Sequence, residues 1–269
     1  MKLSNILSRK NRILLRELII TDFKLRYQGS ALGYLWSILK PLFLFAIMYF
    51  VFGFIFNFRG DVEHFAVYLL VGIVLWSFFT EATTQGLQAI VSRGDLIRKI
   101  NFPKYIIIVS GTTSALINLG FNLLVIFFFV AINGVQLTWL VVLLPVIIIE
   151  LYVFALALAF FLSAFNVKYR DIGYLWEILL QALFYATPIL YSISLVIDKS
   201  HVVAQIMLMS PITQTIQDAR YVLVSQQTTT SWTFLDGWLV WVPIIIVVVS
   251  IVVAALYFRR SSKYFAEYV

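Results

Sequence analysis

Residues 137–165, LTWLVVLLPVIIIELYVFALALAFFLSAF, hold one charged side chain, Glu150. About 20 apolar residues in a helix cross the roughly 30 Å hydrocarbon core of a bilayer, and this run exceeds that length. Five more runs of the same character lie on either side of it: Gly33 to Phe58, Phe65 to Ile90, Tyr105 to Ile132, Ile172 to Ile193 and Phe234 to Phe258. The reading is an all-α polytopic membrane protein with six transmembrane helices.

Composition agrees. Of 269 residues, 62% are hydrophobic and 12% charged, and mean hydropathy is +0.95; a soluble domain has about 45–50% apolar and about 25% charged residues. A water-soluble fold has no interior large enough for so much apolar surface. Six spans at about 20 residues each use nearly half the chain, so one membrane domain is expected. Cysteine is absent, which removes disulfides, thiolate nucleophiles and Cys-based metal sites.

Positive charge sets the orientation. Sixteen of the 20 Lys and Arg fall in segments on the side of the two termini, Arg59, Lys199 and Arg220 fall opposite, and Lys40 lies just inside the first run. Lys and Arg favour the cytoplasmic side, so both termini are expected there. The net charge of +7 follows from that topology without nucleic acid as a partner. The first run follows about 30 charge-rich residues, exceeds a signal-peptide core and lacks a small-residue cleavage site, so it is expected to be retained.

The chain divides into residues 1–32, a cytoplasmic amphipathic helix lying at the interface, and residues 33–269, the six-span domain. In the first part Ser4 to Gln28 reads as helix, broken by Gly29 and Ser30. Leu14, Leu18 and Leu25 share a face but Ile13, Ile20 and Phe23 do not, which suits either contact with both headgroups and a protein or a plain positive anchor. In the first span Lys40 either snorkels outward or meets a phosphate at headgroup level, and Pro41 is tolerated near a helix start.

Two connecting segments stand out. Within residues 91–104, Ser92 to Phe102 is a short polar helix stopped by Pro103. Leu96, Ile97 and Ile100 are available as anchors for a soluble partner, with Arg98 and Lys99 at the edge; an orientation-setting basic loop is the alternative. Within residues 194–232, Val202 to Met209 and Ile212 to Val224 are both too short to cross, are separated by Pro211, and the second carries Gln214, Gln217, Asp218 and Arg220. They read as half-helices re-entering the outer leaflet, which requires protein or water around them, or as an external hairpin.

Glu81, Glu150 and Glu177 lie inside or near the ends of spans, where an unpaired carboxylate costs on the order of 2–4 kcal/mol. Each should face protein or water; Glu177 is close enough to an end to reach the interface. With His64 and His201 the only histidines, a proton relay has few members. No P-loop, His-Glu-x-x-His, Gly-x-Ser-x-Gly or dinucleotide loop occurs, so no catalytic residue, metal ligand or nucleotide site is expected in this chain.

Several phrases resemble one family. Asp22-Phe23-Lys24-Leu25-Arg26-Tyr27, Ser30-Ala31-Leu32-Gly33-Tyr34-Leu35-Trp36, Lys40-Pro41, Asn101-Phe102-Pro103-Lys104, Asn166-Val167-Lys168-Tyr169-Arg170-Asp171-Ile172-Gly173 and Thr187-Pro188-Ile189-Leu190-Tyr191 are similar to the membrane (permease) subunits of type-two ATP-binding-cassette exporters. The branch is the one that exports polysaccharides such as O-antigen, capsule and wall teichoic acid. Ser210-Pro211 departs from the more usual Asn-Pro before the outer helix.

The resemblance implies a homodimer of twelve spans in a bacterial or archaeal plasma (inner) membrane, surrounded by membrane lipids and carried on two copies of a separate cytoplasmic ATPase. ATP and Mg would be bound by that ATPase, and this chain would hold no cofactor. Contact with it would fall on the N-terminal helix and on Arg93, Asp95, Leu96, Ile97, Arg98, Lys99 and Phe102. A lipid-linked glycan would pass between protomers and leave past the outer half-helices. Sugar rings stack on aromatic rings, which make up 17% of the chain, and Tyr49, Phe184 and Tyr185 are the first candidates for the path. Arg26 and Lys40, with Arg98, are candidates for the phosphate of the substrate. A sister exporter of drugs, peptides or other lipids is the alternative, and an ATPase-independent transporter or membrane enzyme a third class.

Overall fold

The computed structural model describes residues 9–56, 58, 62–100 and 102–268. Lys2, the expected helix start at Ser4, Arg59, Asn101 and the side chain of Arg26 lie outside the described residues. Among those described every regular element is helical: α1 (Arg9–Tyr27), α2 (Trp36–Met48), α3 (Phe65–Ala89), α4 (Gly94–Lys99), α5 (Tyr105–Ile132), α6 (Leu144–Lys168), α7 (Ile172–Ala186), α8 (Ser194–Ile197), α9 (His201–Leu208), α10 (Pro211–Leu223), α11 (Ser231–Phe234), α12 (Val242–Ser261) and α13 (Phe265–Tyr268). Counting the 3-10 turns that lead into them, five helices are long and apolar enough to cross a bilayer: Gly33–Ile55, Phe65–Ala89, Tyr105–Ile132, Trp139–Lys168 and Gly237–Ser261.

The central mast is α3, wrapped by α2, α5, α6, α7 and α10. Its sequence permits burial on every side because small residues sit where neighbours come close. A side chain at Gly86 would overlap Ala159 of α6, so those two backbones touch without intervening atoms. Lipid tails supply no hydrophobic drive between helices, and such close packing takes its place.

A polar row on α5 ties three further helices together. Ser110, Ser114, Asn118 and Asn122 recur every fourth residue and are all buried, which puts them on one helix face. Ser110 donates to Asp22 of α1 at 2.6 Å, Asn118 to Glu81 of α3 at 2.6 Å, and Asn122 to the Ser37 carbonyl of α2 at 3.1 Å. The last bond has a local cause: Pro41 lacks the N–H that would have bonded Ser37, four residues earlier. Asn122 supplies the missing donor, as backbone inside a membrane requires. Beyond α2 the chain widens into a π-helix over Tyr49–Ile55.

The run expected to span from Ile172 to Ile193 is helical only to Ala186. Pro188 drives Thr187 to extended backbone, ψ 136°, and ends the helix. Fifteen residues cover about 22 Å, short of the roughly 30 Å core; Pro188, Ile189 and Leu190 that follow are buried in the protein. Then come α8 to α11. Despite its polar sequence, α10 is buried along nearly its whole length, packed on α3, α6, α9 and α12.

The two ends of α3 differ in character. Near its Ala89 end, α4 and α13 meet α6, with Ile97, Phe265 and Val167 in one buried cluster. At its Phe65 end lie the residues after α7 and the helix α10. The α4 and α13 helices and the α8–α11 region therefore occupy opposite ends.

Candidate functional site

At the Phe65 end of α3, Arg220 is wholly buried. Its Nε donates to the Tyr68 carbonyl at 3.0 Å. Nη1 donates to the Pro188 carbonyl at 2.6 Å and to Gln217 Oε1 at 2.9 Å, and Nη2 to the Ile189 carbonyl at 2.8 Å. The guanidinium carbon also lies 3.5 Å from the centre of the Tyr68 ring, a cation–π contact. Gly72 opens the space: a Cβ there would come within 2.5 Å of Nη2. One side chain thus locks α10 to α3 and to the irregular segment after α7. Neither the burial nor Gly72's part in it is visible in the sequence, because the partners are backbone carbonyls distant in the chain.

The carboxylates inside spans have amide partners. Glu81 Oε1 accepts from Gln85 at 2.8 Å and from Asn118 at 2.6 Å. Glu150 Oε2 accepts from Gln214 at 3.4 Å, and the same amide group donates to Asp218 at 3.0 Å. Glu177 is exposed on α7. Glu81 and Glu150 thus each accept from side-chain amides, and the Gln214 amide links Glu150 to a second carboxyl, Asp218.

At the other end, the segment expected to meet a partner is only partly free. Arg93 forms an ion pair with Asp22 of α1, so α1, the turn before α4, and α5 share one polar knot through Asp22. Burial pushes the Arg93 pKa down, though a guanidinium stays cationic. Ile97, expected as an anchor for a partner, is buried against Phe265 and its neighbours in this chain, because its position on α4 faces inward. Asp95, Arg98, Lys99 and Ile100 remain exposed, Leu96 and Phe102 half-buried, and Arg98 bonds Asp95 at 2.8 Å.

The aromatic candidates are not assembled within one copy. Tyr49 stacks on Phe45 and on Phe65 of α3, whereas Phe184 packs edge-on to Trp76 and Tyr185. Phe65 and Trp76 are about 16 Å apart along α3. Tyr185 is exposed with Tyr174, Leu175 and Ile178 on the outer face of α7, whereas Trp176 is buried and donates to Thr83 of α3 at 3.2 Å. Lys40 is exposed on α2. The side chain of Arg26 is outside the described residues.

Comparison with known proteins places this architecture. The sequence profile of the ABC-2 type transporter family matches residues 14–224, a stretch holding every span but the last. The chain is 34% identical over 189 residues to the O-antigen export system permease protein RfbA of Myxococcus xanthus, covering 70% of this chain and 72% of that one. It is 30% identical over 180 residues to the protein of the same description from Klebsiella pneumoniae, covering 66% and 68%. With its buried mast α3 and four further helices long and apolar enough to cross a membrane, the chain belongs to the ABC-2 type transporter family.

Proposed function

We propose that this chain is the permease of an ATP-driven exporter that moves a lipid-linked polysaccharide, of the O-antigen or teichoic acid kind, out across the plasma membrane. The observation that carries the reading is its likeness to O-antigen export permeases along about two thirds of both chains. A companion ATPase binds ATP and Mg, two copies of it serving a homodimer of this chain.

In this reading α7 and residues 187–193, most of them buried, together make a sixth crossing, and both termini are cytoplasmic. The segment 194–232 re-enters the outer leaflet; burial of α10 supports this, since polar helix in a membrane needs protein around it. Residues 1–32 lie along the inner interface. The ATPase docks on the α4 region through the exposed side chains Asp95, Arg98 and Lys99, with Leu96 and Phe102 at the margin. Arg93 and Ile97 transmit its movement, because they are fastened to α1 and α13. The exposed face of α7 with Tyr185, together with Phe184 and Tyr49, lines the path between protomers. Lys40 and Arg26 gather the substrate phosphate at the inner headgroup level.

The test is removal of the chain from its host, with surface polysaccharide and cytoplasmic lipid-linked saccharide measured together. Loss of the first with accumulation of the second is the expected result. Unchanged surface polysaccharide, with no intracellular build-up, overturns the reading.

A further inference from the structure

Glu150 of α6 and Asp218 of α10 are held by one and the same amide. Gln214 Nε2 donates to Asp218 Oδ2 at 3.0 Å and to Glu150 Oε2 at 3.4 Å, and Gln214 itself is only 3% exposed. Gln214 and Asp218, one turn apart, share a face of α10. Gln217 and Arg220 occupy another, turned toward α3 and the residues after α7. Val167 of α6 belongs to the cluster at the α4 end, so Glu150, about one and a half turns into that helix, lies toward the α8–α11 end.

The cluster is short of hydrogens. Its acceptors are the carboxylate oxygens of Glu150 and Asp218 and the Gln214 carbonyl; its donors are the Gln214 amide and the Trp232 side chain, which bonds Asp218. Glu150 Oε1 and Gln214 Oε1 are buried with no donor. Charge is unbalanced in the same sense, for among the described residues no cation pairs with either carboxylate. The elements packed on α10 do not correct this. Arg220 has its Nε, Nη1 and Nη2 engaged elsewhere and lies against Tyr68 of α3. Glu81 of α3 bonds Asn118, and His201 of α9 stacks on Phe234. Lys168 of α6 and Arg259 and Arg260 of α12 stand in the last turns of their helices, at the α4 end. Tyr152, Tyr221 and Tyr257 add no positive charge, and the Trp139–Leu143 turn and α11 contain no titratable group.

We infer that Glu150, Gln214 and Asp218 form a proton-binding site, and that a single proton taken up there fastens α10 to α6. Two buried carboxylates on one amide repel each other. One proton answers both shortages: it removes a negative charge, and it turns one acceptor into the donor that the orphaned oxygens lack. It belongs to the pair and not to either residue. Burial pushes the Asp218 carboxyl up to about 6; the bonds from Gln214 and Trp232 pull it down, and the Glu150 charge adds to the rise. An opened α10 returns Asp218 to its ordinary 3.8, so the packed form binds the proton more tightly. The seating of α10 is therefore firm below that range and loosens as pH rises through about 6. Deprotonation frees the α6 side of α10 while Arg220 keeps the opposite side clamped to α3. This proton is held in place and travels nowhere, and its site does not depend on what the chain transports.

The test is hydrogen–deuterium exchange of the full chain in lipid nanodiscs at about pH 5 and about pH 7, with exchange times scaled to the intrinsic amide rate. In wild type, protection of α10 should fall about tenfold from the lower pH to the higher, the factor that follows from moving the Asp218 pKa from 3.8 to about 6. Protection of α5 should hold steady. Asp218→Asn and Glu150→Gln each leave one carboxyl, so α10 should stay protected at both pH values, changing by less than about twofold. Constant α10 protection in wild type overturns the inference, and that result needs no variant to fold. An equal fall in α5, or the wild-type pH response in both folded variants, overturns it too. Protection that follows sodium concentration at fixed pH would assign the missing charge to a metal ion and overturn the proton.

Discussion

Arg220 concentrates more buried polar chemistry than any other side chain described above. Replacing it by Leu leaves three carbonyls and Gln217 Oε1 without their donor, and each buried unsatisfied group costs about 1–3 kcal/mol. Lys keeps the charge but not the planar fork that reaches Tyr68, Pro188 and Ile189 at once. Thermal denaturation of purified protein should therefore rank wild type above Arg220→Lys and that above Arg220→Leu. Gly72→Ala should resemble Arg220→Lys, because its methyl would occupy the space of Nη2; a wild-type melting curve for Gly72→Ala would show that the guanidinium has room to move. The sequence displays Arg220 as one more basic residue on the outer side. Burial turns it from a topological signal into a structural clamp, and no residue pattern announces that change.

Among the elements, two helix contacts give sharp tests. Asn122→Leu should destabilise by about 1–3 kcal/mol by orphaning the Ser37 carbonyl. In a Pro41→Ala background the restored N–H can bond Ser37 within α2, so the same substitution should cost less. The double-mutant cycle, read by thermal or denaturant unfolding, should give a coupling of at least about 0.5 kcal/mol. At the α3–α6 crossing, Gly86→Ala should cost about 1–3 kcal/mol by overpacking, and Ala159→Gly in the same chain should recover much of it. Failure of that rescue would mean the two backbones are kept close by something other than residue size. The row Ser110, Ser114, Asn118 and Asn122 was present in the sequence at helical spacing, but its three partners came from three other helices. A single helix cannot say which neighbour its polar face will meet.

For the whole molecule, the knot of Asp22, Arg93 and Ser110 joins α1 to the α4 region and α5. If the ATPase docks on α4, Asp22→Ala should uncouple its ATP turnover from export while leaving the two proteins bound to each other. Co-purification together with an export assay reads this out; normal export in that variant would separate α1 from the drive. Lys99→Glu, on the exposed edge, should instead weaken co-purification. Apolar runs already specified, from the sequence alone, an all-helical membrane protein and the neighbourhoods of its five long apolar helices, because hydrocarbon thickness acts on local composition. Family phrases such as Asn166 to Gly173 added the class of transporter. The inward turn of Ile97 and the clamp at Arg220 depended on the tertiary structure. Each arises from groups far apart in the chain competing for the same buried space and the same hydrogen bonds, and that competition is settled only when the helices pack.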